Sequence, residues 1–339
     1  MIKLLENFEK QNIRPLYEHC FYEDGQEFTD YYFAKCLPHN EVLVKEIDGE
    51  IVSAVHLVPK NVVMGSLKTN VMYIYGVATF NGYRNKGFIT ELFSEILKKM
   101  YENMDAFTYL IPSNEKNAKI YEKFGFQYVM DKMEIAPIEH RRKATHSLIL
   151  RKAENSDLVK LSIFAQSTAY NKYSVVLSKD LEYFKRIKEL IDVEGGHIDI
   201  YVENKVIVGY RIWIDNEIFE EVLDNSIQFL SWEGDIRKPY IMARIINIRK
   251  TLRMFAFKNF KEIVFKISDP MINENNGYFV MSETHGSVKF EKKGREDIEK
   301  TPDFDITIGE LTAHIFGYKQ ISGLPKVCKK DSFFIHDYV

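Results

Sequence analysis

The sequence predicts mixed α/β (α+β) domains, and two blocks carry that prediction. From Val71 to Met100 the chain reads as an apolar strand, a short basic turn containing glycine, and an amphipathic helix. From Phe107 to Val129 a second strand is stopped by Pro112, a short helix runs to Lys123 and is broken by Gly125, and another strand follows. Runs at strand spacing alternate with runs at helical spacing through the rest of the chain.

The elements follow in order. Met1 to about Cys36 reads as helical. Asp48-Gly49 separates two apolar runs, Glu41 to Ile47 and Glu50 to Leu57, and predicts a hairpin. Asn61 to Met64 and Val71 to Thr79 read as further strands. In the helix that follows, Phe88, Ile89, Leu92, Phe93, Ile96, Leu97 and Met100 fall on one face. The turn Tyr83-Arg84-Asn85-Lys86-Gly87-Phe88 opens that helix. The first backbone N–H groups of a helix have no intrahelical partner and carry the positive end of its dipole, so such a turn suits a phosphate or pyrophosphate. Arg84 and Lys86 would add charge, and Gly87 would allow close approach. The plainer reading is a basic turn that caps an ordinary helix.

His140-Arg141-Arg142-Lys143 reads as a solvated linker rather than a nucleic-acid patch. Beyond it, helical patterns at Asp157 to Tyr170 and Lys179 to Leu190 precede a hairpin formed by His197 to Val202 and Val206 to Ile214. No Arg-x-x-Gly turn opens a helix in this segment, so no cofactor is expected there. From Glu233, Lys238 to Arg244 leads into a helix. Strands are predicted at Glu262 to Ser268, Tyr278 to Ser282, Ser287 to Glu291 and Asp305 to Ile308, then a helix to Phe316 closed by Gly317. The divisions are residues 1–140, 141–232 and 233–339.

Composition bounds the function. The 339 residues are 45% hydrophobic and 14% aromatic, ample for packed cores, and a net charge of −3 argues against a strongly basic nucleic-acid binder. Cys20, Cys36 and Cys328 lie far apart without metal-ligand spacing and read as buried free thiols. No metal is predicted. The N-terminus lacks an apolar core of signal-peptide length and no run reaches membrane-span length, so a soluble, cytoplasmic protein is expected.

The turn at Arg84 and Gly87 resembles the acyl-CoA pyrophosphate loop of the GNAT N-acetyltransferases, Arg/Gln-x-x-Gly-x-Gly/Ala, with Ile89 departing at the last position. Asn114 and Tyr121-Glu122-Lys123-Phe124-Gly125-Phe126 resemble the second GNAT block in order and spacing. The C-terminal third resembles a sterol-carrier-protein type 2-like module, and the whole chain the Eis-like acetyltransferases: a GNAT domain, a degenerate GNAT half and that module. The resemblance implies an acetyl-CoA-dependent N-acetyltransferase acting on a small amine such as an aminoglycoside, a polyamine or a lysine-type acceptor. A homo-oligomer is left open.

Acetyl transfer needs a deprotonated amine, donors for the developing oxyanion and a proton for the leaving thiolate. The resemblance implies that Val77, Ala78 and Thr79 line acetyl-CoA, with Arg84, Asn85, Lys86, Gly87, Phe88, Ile89, Thr90 and Asn114. It implies that Tyr121 is the general acid; otherwise Tyr121 is a core aromatic. No histidine stands out as base. The family suggests the terminal carboxylate, here that of Val339, and the aromatic tail Phe333 to Val339 suits docking rather than fraying. Two other readings compete: a lipid-binding protein working through the sterol-carrier-like module, and an inactive acyl-CoA sensor.

Overall fold

The computed structural model describes residues 1–65, 67–133, 148–224, 237–255, 257, 260–284, 287–328 and 333–336. The chain starts with a strand, β1 (Ile2–Leu4), where helical material is expected. Its partner is β2 (Glu41–Ile47), paired antiparallel with Ile2 opposite Lys45. A strand set by a distant partner leaves no trace in local periodicity. Between them lie α1 (Arg14–Cys20), α2 (Gln26–Tyr31) and short irregular turns.

The hairpin at Asp48-Gly49 forms as expected, with both residues at positive φ. Its second strand, β3 (Glu50–Met64), is continuous through Pro59, where the sequence reads two strands. One edge of β3 pairs with β2 as far as Leu57 and with another strand, β8 below, from Val62. Pro59, which has no N–H, lies in the gap. Then come β4 (Leu67–Thr79), α3 (Phe88–Glu102), β5 (Phe107–Leu110), α4 (Glu115–Glu122) and β6 (Gln127–Met133). Leu92, Phe93, Ile96, Leu97 and Met100 of α3 are buried against the sheet, as the periodicity requires.

The second segment contains β7 (Ile149–Lys152), α5 (Leu158–Lys172), β8 (Val175–Leu177), α6 (Leu181–Glu194), β9 (Gly196–Glu203), β10 (Val206–Ile214) and β11 (Glu217–Leu223). Four of these strands form a separate antiparallel sheet in the order β11-β10-β9-β7, while β8 leaves it to join β3.

The third segment opens with β12 (Arg237–Ile245) and α7 (Ile248–Arg253). It continues through β13 (Glu262–Ser268), β14 (Gly277–Thr284), β15 (Ser287–Lys293), β16 (Phe304–Thr307) and α8 (Ile308–Ile315) to β17 (Phe333–Phe334). The last sheet runs β15-β14-β13-β16. β12 belongs elsewhere. It is hydrogen-bonded antiparallel between β5 and β6 in the first sheet, with Ala243 opposite both Tyr109 and Gln127. The first sheet therefore crosses the sequence division at residue 233.

β17 pairs parallel with β8. Phe333 meets Phe107 and Phe316 edge-on, and Phe334 stacks on Tyr173 at 4.1 Å. The chain's last described residues thus touch all three segments.

Candidate active site

The site begins with a discontinuity in β4. Ala54 pairs with Ala78, and His56 pairs with Tyr75, so β4 carries one more residue than β3 across that interval. This is a β-bulge, and it falls at Gly76, whose φ is +56°. A Cβ at Gly76 would lie 3.0 Å from Cγ of His56, so glycine is required by conformation and by space. His56 is fully buried below it, and the Tyr32 hydroxyl bonds its Nδ1. Burial holds the imidazole pKa down to about 3, so the ring is neutral.

The bulge coincides with a fork. β4 pairs parallel with β5 only from Met72 opposite Thr108 to Ile74 opposite Leu110. Past Ile74, Tyr75 to Thr79 have no described strand on that edge, because β5 ends at Leu110. Of the main-chain groups along this stretch, the Thr79 carbonyl accepts from Arg84 Nε and the Ala78 carbonyl from Ser53 Oγ; the others meet no described strand on this edge and suit an extended ligand. Val77 packs on the α3 side and Ala78 on the other. The Thr79 hydroxyl bonds Ser53 at 2.8 Å, so Thr79 reaches the opening by its main chain.

The basic turn lies at the mouth of the fork. Asn85 has φ +62° and Gly87 φ +84°, and Gly87 is the N-cap of α3 without a side-chain cap. The first helical bond at this end is from Glu91 N–H to the Gly87 carbonyl, leaving the N–H groups of Phe88, Ile89 and Thr90 without intrahelical acceptors. Successive amides in this conformation form a concave anion site. Nothing lies within 4 Å of a Cβ built on Gly87. Arg84 bonds the Thr79 carbonyl through Nε at 3.1 Å, fastening the turn to β4, and Lys86 lies over the Tyr83 ring. Ile89 is only partly buried, in the cluster that contains Val77 and Tyr121.

Tyr121 sits in the last turn of α4, packed on Phe93 and Phe126. Its hydroxyl makes no hydrogen bond to a described residue, and burial pushes its pKa up to about 12. Asn114 has a different local task from its neighbours. Its side chain caps α4 by accepting from Asn117 N–H at 2.9 Å, and its amide nitrogen reaches the Ser113 hydroxyl. The turn after Tyr121 is fixed from β12: Arg244, fully buried, donates to the Phe124 carbonyl and pairs with Asp269 at 2.5 Å.

The sequence reading missed a third group. The Tyr17 hydroxyl on α1 donates to Asp24 at 2.7 Å and lies 2.6 Å from the hydroxyl of Tyr75, the residue before the bulge. Desolvation raises the pKa of Asp24. Phe21 stacks on Tyr75 from the same side. The aromatic and acidic run Phe21-Tyr22-Glu23-Asp24 was the available signal, but only the packing of α1 on β4 brings it to the bulge. Val339 lies outside the described residues.

Residues 1–129 match the family model of the acetyltransferase (GNAT) domain, and residues 248–327 match that of the sterol carrier protein domain. No curated protein matches the sequence significantly. Among solved structures, a probable N-acyltransferase from Enterococcus faecalis V583 superposes with a TM-score of 0.74 at 18% identity, covering 94% of this chain and 90% of that one. A GCN5-related N-acetyltransferase from Anabaena variabilis gives 0.73 at 16% identity over 93% and 90%. Eis1 from Mycobacterium abscessus gives 0.67 at 12% identity over 94% and 90%. At these identities the likeness is one of fold. The chain is an acyltransferase built on a GNAT acetyltransferase domain. Its C-terminal part is a sterol carrier protein domain, and the arrangement resembles Eis-like proteins. No described helix is long and apolar enough to cross a membrane.

Proposed function

We propose that this protein is a cytoplasmic acetyl-CoA-dependent N-acetyltransferase that acetylates a cationic small-molecule amine by direct attack in a ternary complex. The observation that carries the proposal is the conjunction at β4: a strand fork, a glycine bulge, and a basic turn at the head of α3 with no side-chain cap. Acetyl-CoA supplies an activated acyl group and a thiolate leaving group. The amides of Phe88, Ile89 and Thr90, with Lys86, would hold its pyrophosphate, and the main chain of Val77, Ala78 and Thr79 would line its arm. Tyr121 would protonate the leaving sulfur, a task that suits a phenol kept protonated by burial. The acidic and aromatic patch of Asp24, Tyr17 and Tyr75 favours a cationic acceptor.

The Val339 carboxylate is assigned to orient the amine or act as base, supported by the docking of Phe333 and Phe334 among all three segments. Amidating the C-terminus, or extending it with a tag, should cut turnover strongly with CoA affinity intact. Turnover equal to that of an N-terminally tagged control rules the role out.

The test of the whole reading is thiol release from acetyl-CoA across a panel of amines, beside calorimetric titration with CoA. Failure to bind CoA removes the proposal. Lipid carriage has little support: among the described residues, Phe257, Phe265, Phe290 and their neighbours surround a cavity of only about 10 Å³ in the sterol-carrier domain. Lipid co-purifying in stoichiometric amount would revive it.

A further inference from the structure

Acylating an ammonium requires a route for its proton, and the described residues contain one that ends in a carboxylate. Tyr17 has a single hydroxyl proton, and it is donated to Oδ2 of Asp24 at 2.7 Å. The 2.6 Å contact between the Tyr17 and Tyr75 hydroxyls therefore has one consistent polarity: Tyr75 donates and Tyr17 accepts. Two hydrogen bonds thus run in one direction, from β4 to Asp24. Tyr75 is the first residue past the last β4–β5 pair and lies next to Gly76 in the bulge, where the fork opens. Tyr17 is 1% exposed and so shielded from water, whereas Asp24 is half-buried and can return a proton to solvent.

We propose that Tyr75, Tyr17 and Asp24 form a proton relay that accepts the proton of the acceptor amine and leaves the Val339 carboxylate the task of orienting that amine, which goes beyond the acetyl-transfer reading but rests on it. The amine proton passes to Oη of Tyr75 as the Tyr75 hydroxyl proton moves to Oη of Tyr17 and the Tyr17 proton moves to Oδ2 of Asp24. The nitrogen lone pair is freed to form the bond to the acetyl carbon. Both tyrosines end neutral, and Asp24 ends as a carboxylic acid that discharges to water. No oxidant or further reactant is needed. Concerted transfer suits these phenols, because burial disfavours a tyrosinate at either position. The charged and titratable groups facing the relay are Glu23 beside Asp24, with Tyr32, Tyr73 and the neutral His56 packed around the tyrosines.

Tyr17→Phe removes the central hydroxyl and keeps the ring stacking. Asp24→Asn keeps shape but cannot take the proton, and it lies nearer the surface should Tyr17→Phe fail to fold. With the full chain, kcat for an alkylamine at pH 7 should fall about 10²-fold or more in either variant, with KM for acetyl-CoA unchanged. The loss should shrink for an acceptor amine whose pKa lies below the assay pH, since its proton leaves without help. A proton inventory in H₂O/D₂O mixtures should be curved for the parent protein and linear for Tyr17→Phe. Parent-level kcat in both variants from pH 6 to 9 overturns the relay, as does an equal loss for strong and weak amines. Tyr121→Phe and CoA titration tell the two failures apart: if CoA binds and Tyr121→Phe is impaired, a null result at Tyr17 and Asp24 removes the relay alone.

Discussion

The first and second segments are built from similar parts, and each carries a register shift between paired antiparallel strands that it treats in an opposite way. In the first, β4 follows β3 antiparallel, bulges at Gly76 and diverges from β5, leaving one edge of Tyr75 to Thr79 without a described strand. In the second, β11 follows β10 antiparallel and also shifts register, between Ile212 and Trp213. Its space is filled. Glu220 on β11 is fully buried and pairs with Lys179 at 2.6 Å, and the hydroxyls of Tyr183 and Tyr210 bond the same carboxylate. Lys179 also lies 3.9 Å from the centre of the Tyr183 ring. The contrast teaches that a register shift opens a site where a neighbouring strand diverges from it; where buried side chains satisfy one another beside it, the same feature is part of a core.

The sharpest way to break the comparison is at the proposed acid. Tyr121→Phe should lower kcat by roughly 10²–10⁴-fold while CoA affinity holds. Turnover near that of the parent would make Tyr121 a core aromatic, no different in kind from Tyr183. The pH profile adds to this test. With the phenol pushed to about 12, turnover should not be lost to ionisation of Tyr121 below about pH 10.

The second segment should respond in stability rather than chemistry. Lys179→Met leaves Glu220 buried without its cation and should cost about 3–5 kcal/mol of unfolding free energy. CoA affinity per folded molecule should not change. A loss of CoA binding measured well below the melting temperature would show that the second segment is more than a scaffold.

At the turn, Gly87→Glu or Lys86→Glu should weaken CoA binding by about 10–100-fold, the worth of one or two charge-assisted hydrogen bonds. Calorimetry with CoA and a thermal melt would separate this from a folding defect. Unchanged affinity in a folded Gly87→Glu protein removes the pyrophosphate assignment.

The smallest effect concerns the support of the bulge. His56 has a folded pKa of about 3, below its unfolded value near 6.5. As pH falls below 6.5 the unfolded chain binds a proton that the folded chain does not, so stability is lost progressively down to pH 3. Between pH 6.5 and 5 this amounts to about 2 kcal/mol. Urea melts at the two values should show it, and His56→Gln should flatten the slope. An unchanged slope in that variant would assign the acid sensitivity to another group.

Much of the site was legible in one dimension, for reasons that particular residues make clear. The basic turn, Gly87 and the α3 stripe are local: a cap, a positive φ and a helical period are set by neighbours within a few residues. The α4 turn to Gly125, the hairpin at Asp48-Gly49 and the helix closed by Gly317 are legible for the same reason. Tertiary structure alone decided the rest. Neither the hydrogen-bonding of β12 between β5 and β6 nor the grip of Arg244 on the Phe124 carbonyl has a counterpart in any window of sequence, because each joins residues more than a hundred positions apart. The approach of Asp24 and Tyr17 to Tyr75 is equally remote from local pattern. A sequence specifies backbone conformation through short-range sterics and periodic burial; which polar groups meet across a sheet depends on how its elements pack.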